Sequence, residues 1–83
     1  MGYKIAFKGS VARDLKKLDK DQANRILARL EEELPEKADA FPTLKGQFSG
    51  LRKFRVGDYR VIYTILGDTA LVLRIGHRRT VYR

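Results

Sequence analysis

Three cations carry the chemistry this sequence offers: Lys53, Arg55 and Arg60, within the stretch LRKFRVGDYRVIY at residues 51–63. The stretch reads as two short strands joined by Gly57-Asp58, because glycine supplies the positive φ of a tight hairpin turn. A two-residue loop closed by Val56 and Tyr59 sets Arg55 directly opposite Arg60 and Phe54 opposite Val61. Side chains alternate along a strand, so Lys53, Arg55 and Arg60 share one face, and Phe54, Val56 and Val61 share the other. Two guanidiniums whose Cβ atoms are about 5 Å apart repel each other. The cost is roughly 1 kcal/mol in water and about 3 kcal/mol at an effective dielectric of 20. An anion between them reverses the sign. The bland alternative is a pair of solvated arginines splayed apart on long stems, but three cations grouped on one face favour the anion site.

The closing stretch GHRRTVYR at residues 76–83 adds His77, Arg78, Arg79 and Tyr82 to the cluster. Val81 and Tyr82 argue that it packs instead of trailing as a tail. Such a set suits phosphodiester chemistry without a metal. Arg and Lys neutralise charge developing on a phosphate, and Tyr82 offers a ring on which an exposed base can stack. Proton transfer would fall to His77, the one side chain that ordinarily titrates near neutrality, or to Lys53; a purely structural histidine is the competing assignment. Around this centre Lys45, Arg52, Arg79 and Arg83 are expected to contact RNA.

Other chemistries are poorly served. No paired carboxylates fall on the basic face, which disfavours glycosidase-type and two-metal reactions. No glycine-rich phosphate loop precedes a helix, and one histidine with few acids leaves no Ser-His-Asp set. With no cysteine and a single histidine, neither a disulfide framework nor a thiolate or imidazole metal site is expected. The N-terminus has no apolar secretion core, Ala6 stands where a myristoylation pattern needs Ser or Thr, and no apolar run approaches a membrane span. The expectation is a soluble, cytoplasmic protein.

The 83 residues are expected to form a single domain, 1–83. The net charge of +8 is unevenly spread. Residues 1–42 hold nine Lys/Arg against eight Asp/Glu, a surplus of +1, whereas residues 43–83 hold nine against two, a surplus of +7. Both acids of the second half, Asp58 and Asp68, fall in predicted turns. A basic set of strands is the electrostatic footprint of a polyanion, either nucleic acid or an acidic protein; without an amphipathic basic helix, a membrane surface fits less well.

The elements that must position these residues follow from periodicity. Residues 3–8 alternate as a half-buried strand. Ser10 is placed to cap a first helix, which carries Val11, Leu15 and Leu18 on one stripe and ends near Leu18-Asp19. Asp19, with Gln22 three residues on, is placed to cap a second helix whose buried stripe is Ala23, Ile26, Leu27, Leu30 and Leu34, with Pro35 ending it. The charged residues of both helices read as an ordinary solvated face. Residues 35–50 form a connector pinned by Phe41 and Leu44, and Lys45 can reach the basic face from it. Gly67-Asp68 turns the chain into a last strand, residues 69–75. Plain alternation puts Val61, Tyr63 and Ile65 on one face and Ile62, Leu71, Leu73 and Ile75 on the other. A bulge near Arg74–Gly76 would swap the sides that Arg74 and His77 face. The expected fold is α+β: an N-terminal strand and a two-helix hairpin packed on a small, mainly antiparallel sheet.

The order strand–helix–helix–strands, with LKGQFSGLRKFRVGDYRVIY (44–63) and LRIGHRRTVYR (73–83), resembles the RelE/ParE superfamily of bacterial and archaeal toxins over nearly the whole chain, and the RelE branch more closely than ParE. The resemblance implies a type II toxin that acts as an mRNA interferase, a ribosome-dependent endoribonuclease with no cofactor. The 2′-hydroxyl of mRNA in the A site of the 70S ribosome would attack the adjacent phosphate, leaving a 2′,3′-cyclic phosphate and a 5′-hydroxyl. It also implies an acidic, RelB-like antitoxin bound in a tight complex that represses its own operon. By position, Lys53 matches a lysine of proton transfer or transition-state contact, Arg60 and Arg78 match phosphate-stabilising arginines, and Tyr82 matches a substrate-stacking tyrosine. Arg55 falls where well-studied members have a second lysine; guanidinium is a poor proton donor, and His77 is the candidate to fill that gap. Relatives often carry a further C-terminal helix where this sequence ends soon after Tyr82, so a more open site is expected. The alternatives are a ParE-like, non-catalytic inhibitor of DNA gyrase and a basic RNA-binding module without activity.

Overall fold

In the computed structural model, which describes residues 2–44, 46, 50–79 and 81, the chain runs β1 (Lys4–Phe7), α1 (Gly9–Lys16), α2 (Lys20–Lys37), β2 (Arg52–Val56), β3 (Tyr59–Leu66) and β4 (Thr69–His77). The strands form one mixed sheet in the order β1-β4-β3-β2, with β1 parallel to β4 and the other two pairs antiparallel. This is the expected α+β arrangement. Gly57 and Gly67 each adopt φ of 60° at the first position of a two-residue turn. No other residue type has positive φ among the described residues, so each Gly-Asp pair fits a II′ hairpin, which needs glycine only at its first central position.

One face of the sheet holds the core. Ile26, Leu30, Leu34 and Ala38 from the α2 stripe bury fully against Val61, Tyr63, Val72 and Ile75, with Phe54 and Val56 at the side. Pro35 does not end α2, which continues to Lys37. The proline forfeits one helical hydrogen bond, but tertiary contacts hold the last turn in place. The Tyr3 N–H donates to the Pro35 carbonyl at 2.6 Å, and the buried Tyr63 hydroxyl donates to the Ala38 carbonyl at 2.5 Å. Burial pushes that phenol up to about 12, against an opposing pull from Arg52.

Asp19 takes the cap position of α2 as expected, whereas the start of α1 differs from the sequence expectation. Lys8 occupies the cap position of α1 and Asp19 that of α2, neither with a side-chain cap bond, and α1 stops at Lys16. Ser10 is used elsewhere: its hydroxyl donates to the Leu73 carbonyl at 2.8 Å. The reason is the sheet edge. β1 pairs β4 only along residues 69–72, and beyond them α1 takes over the exposed backbone. The Lys8 N–H donates to the Val72 carbonyl at 2.9 Å, and the Ile75 N–H donates to Asp14 Oδ2 at 2.9 Å. Asp14, read as solvated, is the one buried charged residue among the described residues, at 7% exposure, also bound by Arg74 Nε at 2.9 Å. A backbone donor left without strand partner would cost on the order of 1–3 kcal/mol, and Asp14 removes that cost.

The register slips once between β3 and β4. Ile62 pairs with Arg74 and Tyr63 with Val72, so Leu73 is an extra, bulged residue. Consequently Ile75 lies beside Val61 and His77 beside Tyr59, on the helix-covered face, not with Ile62 as uninterrupted alternation predicts.

Candidate functional site

The hairpin forms with the expected register: Val56 closes on Tyr59, Arg55 stands opposite Arg60, and Phe54 opposite Val61. Phe54 and Val56 bury into the core, which fixes the opposite face of the hairpin for Lys53, Arg55 and Arg60. These three residues line one cavity of about 300 Å³. Its remaining walls are Phe41, Pro42 and Phe54, and, from α2, Arg29 and Glu33. Arg60 Nη1 is buried, with no hydrogen-bond partner among the described residues. A buried donor on a charged group without an acceptor is costly, and an entering anion would remove that cost.

The connector supplies the outer wall by running along the free edge of β2. The Lys53 N–H donates to the Pro42 carbonyl at 3.2 Å and the Leu44 N–H to the Leu51 carbonyl at 2.8 Å. The Phe41 ring meets Phe54 edge-on at 4.9 Å. Arg52, expected to contact RNA, holds this wall instead. Its Nη1 donates to the carbonyls of Asp39 (3.2 Å) and Phe41 (2.7 Å), and its register partner is Tyr63, on the core face.

The other expected site residues divide. Arg78 and Arg79 are exposed just beyond β4. The Arg78 N–H donates to the Asp58 carbonyl at 2.9 Å, tying it to the hairpin turn. Arg60 faces Gly76 across the sheet, and Val81, only 3% exposed, folds back so that a Cβ on Gly76 would meet its side chain at 3.4 Å. His77 is not with the hairpin cations. It shares a second cavity, of about 370 Å³, with Asp14, Lys17, Leu18 and Tyr59. Its ring meets Tyr59 edge-on at 5.6 Å, and its Nδ1 accepts from the Arg79 N–H at 3.2 Å. The Leu73 bulge is the cause of this separation. Lys45, Tyr82 and Arg83 lie outside the described residues.

Arg29 and Glu33 are the residues that sequence reasoning passed over. They form an i,i+4 pair, with Arg29 Nε and Nη2 donating to Glu33 Oε2 at 2.9 and 2.6 Å. Each directly precedes a residue of the buried stripe, Leu30 and Leu34, and so stands at its border. That adjacency alone does not mark them, since Arg25 precedes Ile26 in the same way and stays exposed.

A family model described as ParE toxin of type II toxin-antitoxin system, parDE, matches residues 5–82. Similar solved structures include the toxin-antitoxin complex RelBE2 from Mycobacterium tuberculosis, at 26% identity and a TM-score of 0.86, covering 94% of this chain and all of that one. The archaeal RelE-RelB complex from Pyrococcus horikoshii is 28% identical, with a TM-score of 0.67 and coverage of 98% and 100%. The chromosomal ParDE system from P. aeruginosa shares the fold at 15% identity, with a TM-score of 0.72 and coverage of 90% and 95%. Comparison with curated protein sequences finds no match.

Proposed function

The chain belongs to the ParE toxin family of type II toxin-antitoxin systems, within the RelE/ParE superfamily, and we propose that this toxin acts by cleaving mRNA on the ribosome through 2′-hydroxyl attack on the adjacent phosphate. One observation carries the reading: Arg60 lines a cavity with Lys53 and Arg55, and its Nη1 is buried without a hydrogen-bond partner among the described residues. A phosphate is the anion whose charge grows as the reaction proceeds, and preorganised cations are worth most against such charge. Arg55 and Arg60 hold the reacting phosphate, and Lys53 gives a proton to the leaving 5′-oxygen. Arg78 adds a second phosphate contact, and Tyr82 stacks on a neighbouring base. His77 drops out of the set, because it lines the other cavity. Arg52 drops out because its guanidinium already bonds two carbonyls.

A second reading has a specific support, since the matching family model is that of ParE toxins: a non-catalytic inhibitor of DNA gyrase, for which the cation cluster is not a reaction centre. The deciding experiment adds purified protein to a reconstituted translation system and maps 5′-hydroxyl ends on the mRNA. A-site cleavage by the parent and none by Arg60→Ala supports the nuclease; uncut mRNA with inhibited supercoiling supports the gyrase inhibitor.

Either toxin is expected to bind an acidic antitoxin. The RelE relatives from M. tuberculosis and P. horikoshii were solved in toxin-antitoxin complexes. A groove of about 420 Å³ between α1 and α2 suits an apolar side of such a partner. Leu15 and Leu27 line it, Phe7 stands 45% exposed at its end, and Lys8 lies at its rim. The overall charge of +8 favours an acidic occupant.

A further inference from the structure

Glu33 is the carboxylate lining the cavity that Lys53, Arg55 and Arg60 share. Its two oxygens are differently employed. Oε2 accepts both hydrogen bonds from Arg29, at 2.9 and 2.6 Å. The cation nearest Oε1 is Lys37 Nζ at 3.9 Å, beyond hydrogen-bond range, so Oε1 makes no hydrogen bond among the described residues. The side chain is 21% exposed, mostly withdrawn from water. A carboxylate with one oxygen clamped and the other open is an oriented proton acceptor.

The proposed reaction lacks that component. Attack by a 2′-hydroxyl requires its proton to leave, and guanidinium and ammonium groups have no lone pair to receive it. We propose that Glu33 is the general base of this site, an assignment that rests on the nuclease reading. Glu33 Oε1 takes the proton from the 2′-hydroxyl while O2′ bonds to phosphorus and the bond from phosphorus to O5′ breaks. The Lys53 ammonium delivers a proton to O5′. The products are a 2′,3′-cyclic phosphate and a 5′-hydroxyl, and solvent returns one proton to Lys53 and removes one from Glu33. Arg29 acts as a positioning residue, holding the carboxylate through Oε2.

The charged groups around Glu33 are of both signs: Arg29 and Lys37 on its own helix, Lys53 and Arg55 on β2 and Arg60 on β3 are cationic, and Glu32 and Glu36 share a neighbouring hollow with it. Single-turnover cleavage of programmed ribosomes tests the assignment. Glu33→Gln keeps the volume and a carbonyl for Arg29, and is expected to cleave 10²- to 10⁴-fold more slowly with ribosome affinity changed less than threefold. Glu33→Ala, folded by thermal melting, should regain at least tenfold activity in added formate. An active parent with an equally active Glu33→Gln overturns this assignment alone. A parent that leaves the mRNA intact overturns the nuclease reading and this assignment together.

Discussion

Arg55 and Arg60 face each other across β2 and β3, and neither is paired with a carboxylate among the described residues. A cross-strand pair of like charges works against the hairpin that holds it. Replacing Arg55 with Thr should therefore stabilise the protein by about 0.5–1 kcal/mol, seen as a higher urea midpoint with unchanged slope. In 1 M salt, where the Debye length falls to about 3 Å, the difference should shrink. An Arg55→Thr protein less stable than the parent at low salt would mean that the guanidiniums are held apart by something else.

The buried Arg60 Nη1 gives an anion a specific reward. Millimolar inorganic phosphate should raise the melting temperature of the parent, because a ligand that binds only the folded state stabilises it by mass action. Arg60→Ala should lose that shift. If the site cleaves RNA, the same variant should be slower by about 10²- to 10³-fold. The phosphate shift is independent of whether the target is the ribosome or gyrase. Equal shifts in parent and variant would place the anion elsewhere.

Much of this arrangement is legible in the sequence, and the limits have physical causes. Gly57-Asp58 between two alternating runs fixes the hairpin register, and with it the shared face of Lys53, Arg55 and Arg60. The stripe Ile26, Leu30 and Leu34 marks the helix core. What alternation cannot carry is an inserted residue. Leu73 is as apolar as its neighbours, and the bulge there moves Ile75 and His77 to the other face without leaving a trace in hydrophobic pattern. Ser10 and Asp14 mislead for a different reason. Both are good helix-terminal or surface residues locally, but the unpaired edge of β4 competes for their oxygens and wins. Pro35 likewise reads as a stop only while Tyr3 and Tyr63, distant in sequence, are out of view.

Asp14 binds two different donors, the Arg74 guanidinium and the Ile75 backbone N–H. Arg74 is 40% exposed, so much of that ion pair is solvated and its loss is modest. The backbone donor has no access to water. Asp14→Ala should cost about 2–4 kcal/mol, and Arg74→Ala clearly less, because the Ile75 N–H then keeps its acceptor. Asp14→Asn, whose amide oxygen still accepts from Ile75, should fall between. Chemical denaturation of the three proteins gives the order; Arg74→Ala as damaging as Asp14→Ala would assign the stability to the ion pair instead.

Phe7 offers apolar surface at the end of the α1–α2 groove. Replacing it with Asp removes that surface and sets an acid against an acidic partner. Affinity for the antitoxin should fall at least tenfold by titration calorimetry, while mRNA cleavage or gyrase inhibition by the free toxin stays at the parental level. Unchanged antitoxin affinity would remove the groove from the interface.

Tyr63 joins the sheet to the end of α2 through its hydroxyl and the Ala38 carbonyl. Tyr63→Phe leaves that carbonyl without its donor in a buried position, a loss of about 1–2 kcal/mol at neutral pH. Burial also raises the phenol to about 12 in the folded protein, against roughly 10 in an unfolded chain. A group raised on folding contributes stability in full below its unfolded value and loses that contribution as pH climbs toward the folded one. The parent should therefore weaken between about pH 10 and 12 through this phenol, whereas Tyr63→Phe has nothing there to titrate. Every other group is common to both proteins and cancels in the difference. The gap in unfolding free energy between parent and variant should be constant up to about pH 10 and narrow above it. A gap that persists unchanged to pH 12 would show that burial does not hold the phenol above its unfolded value.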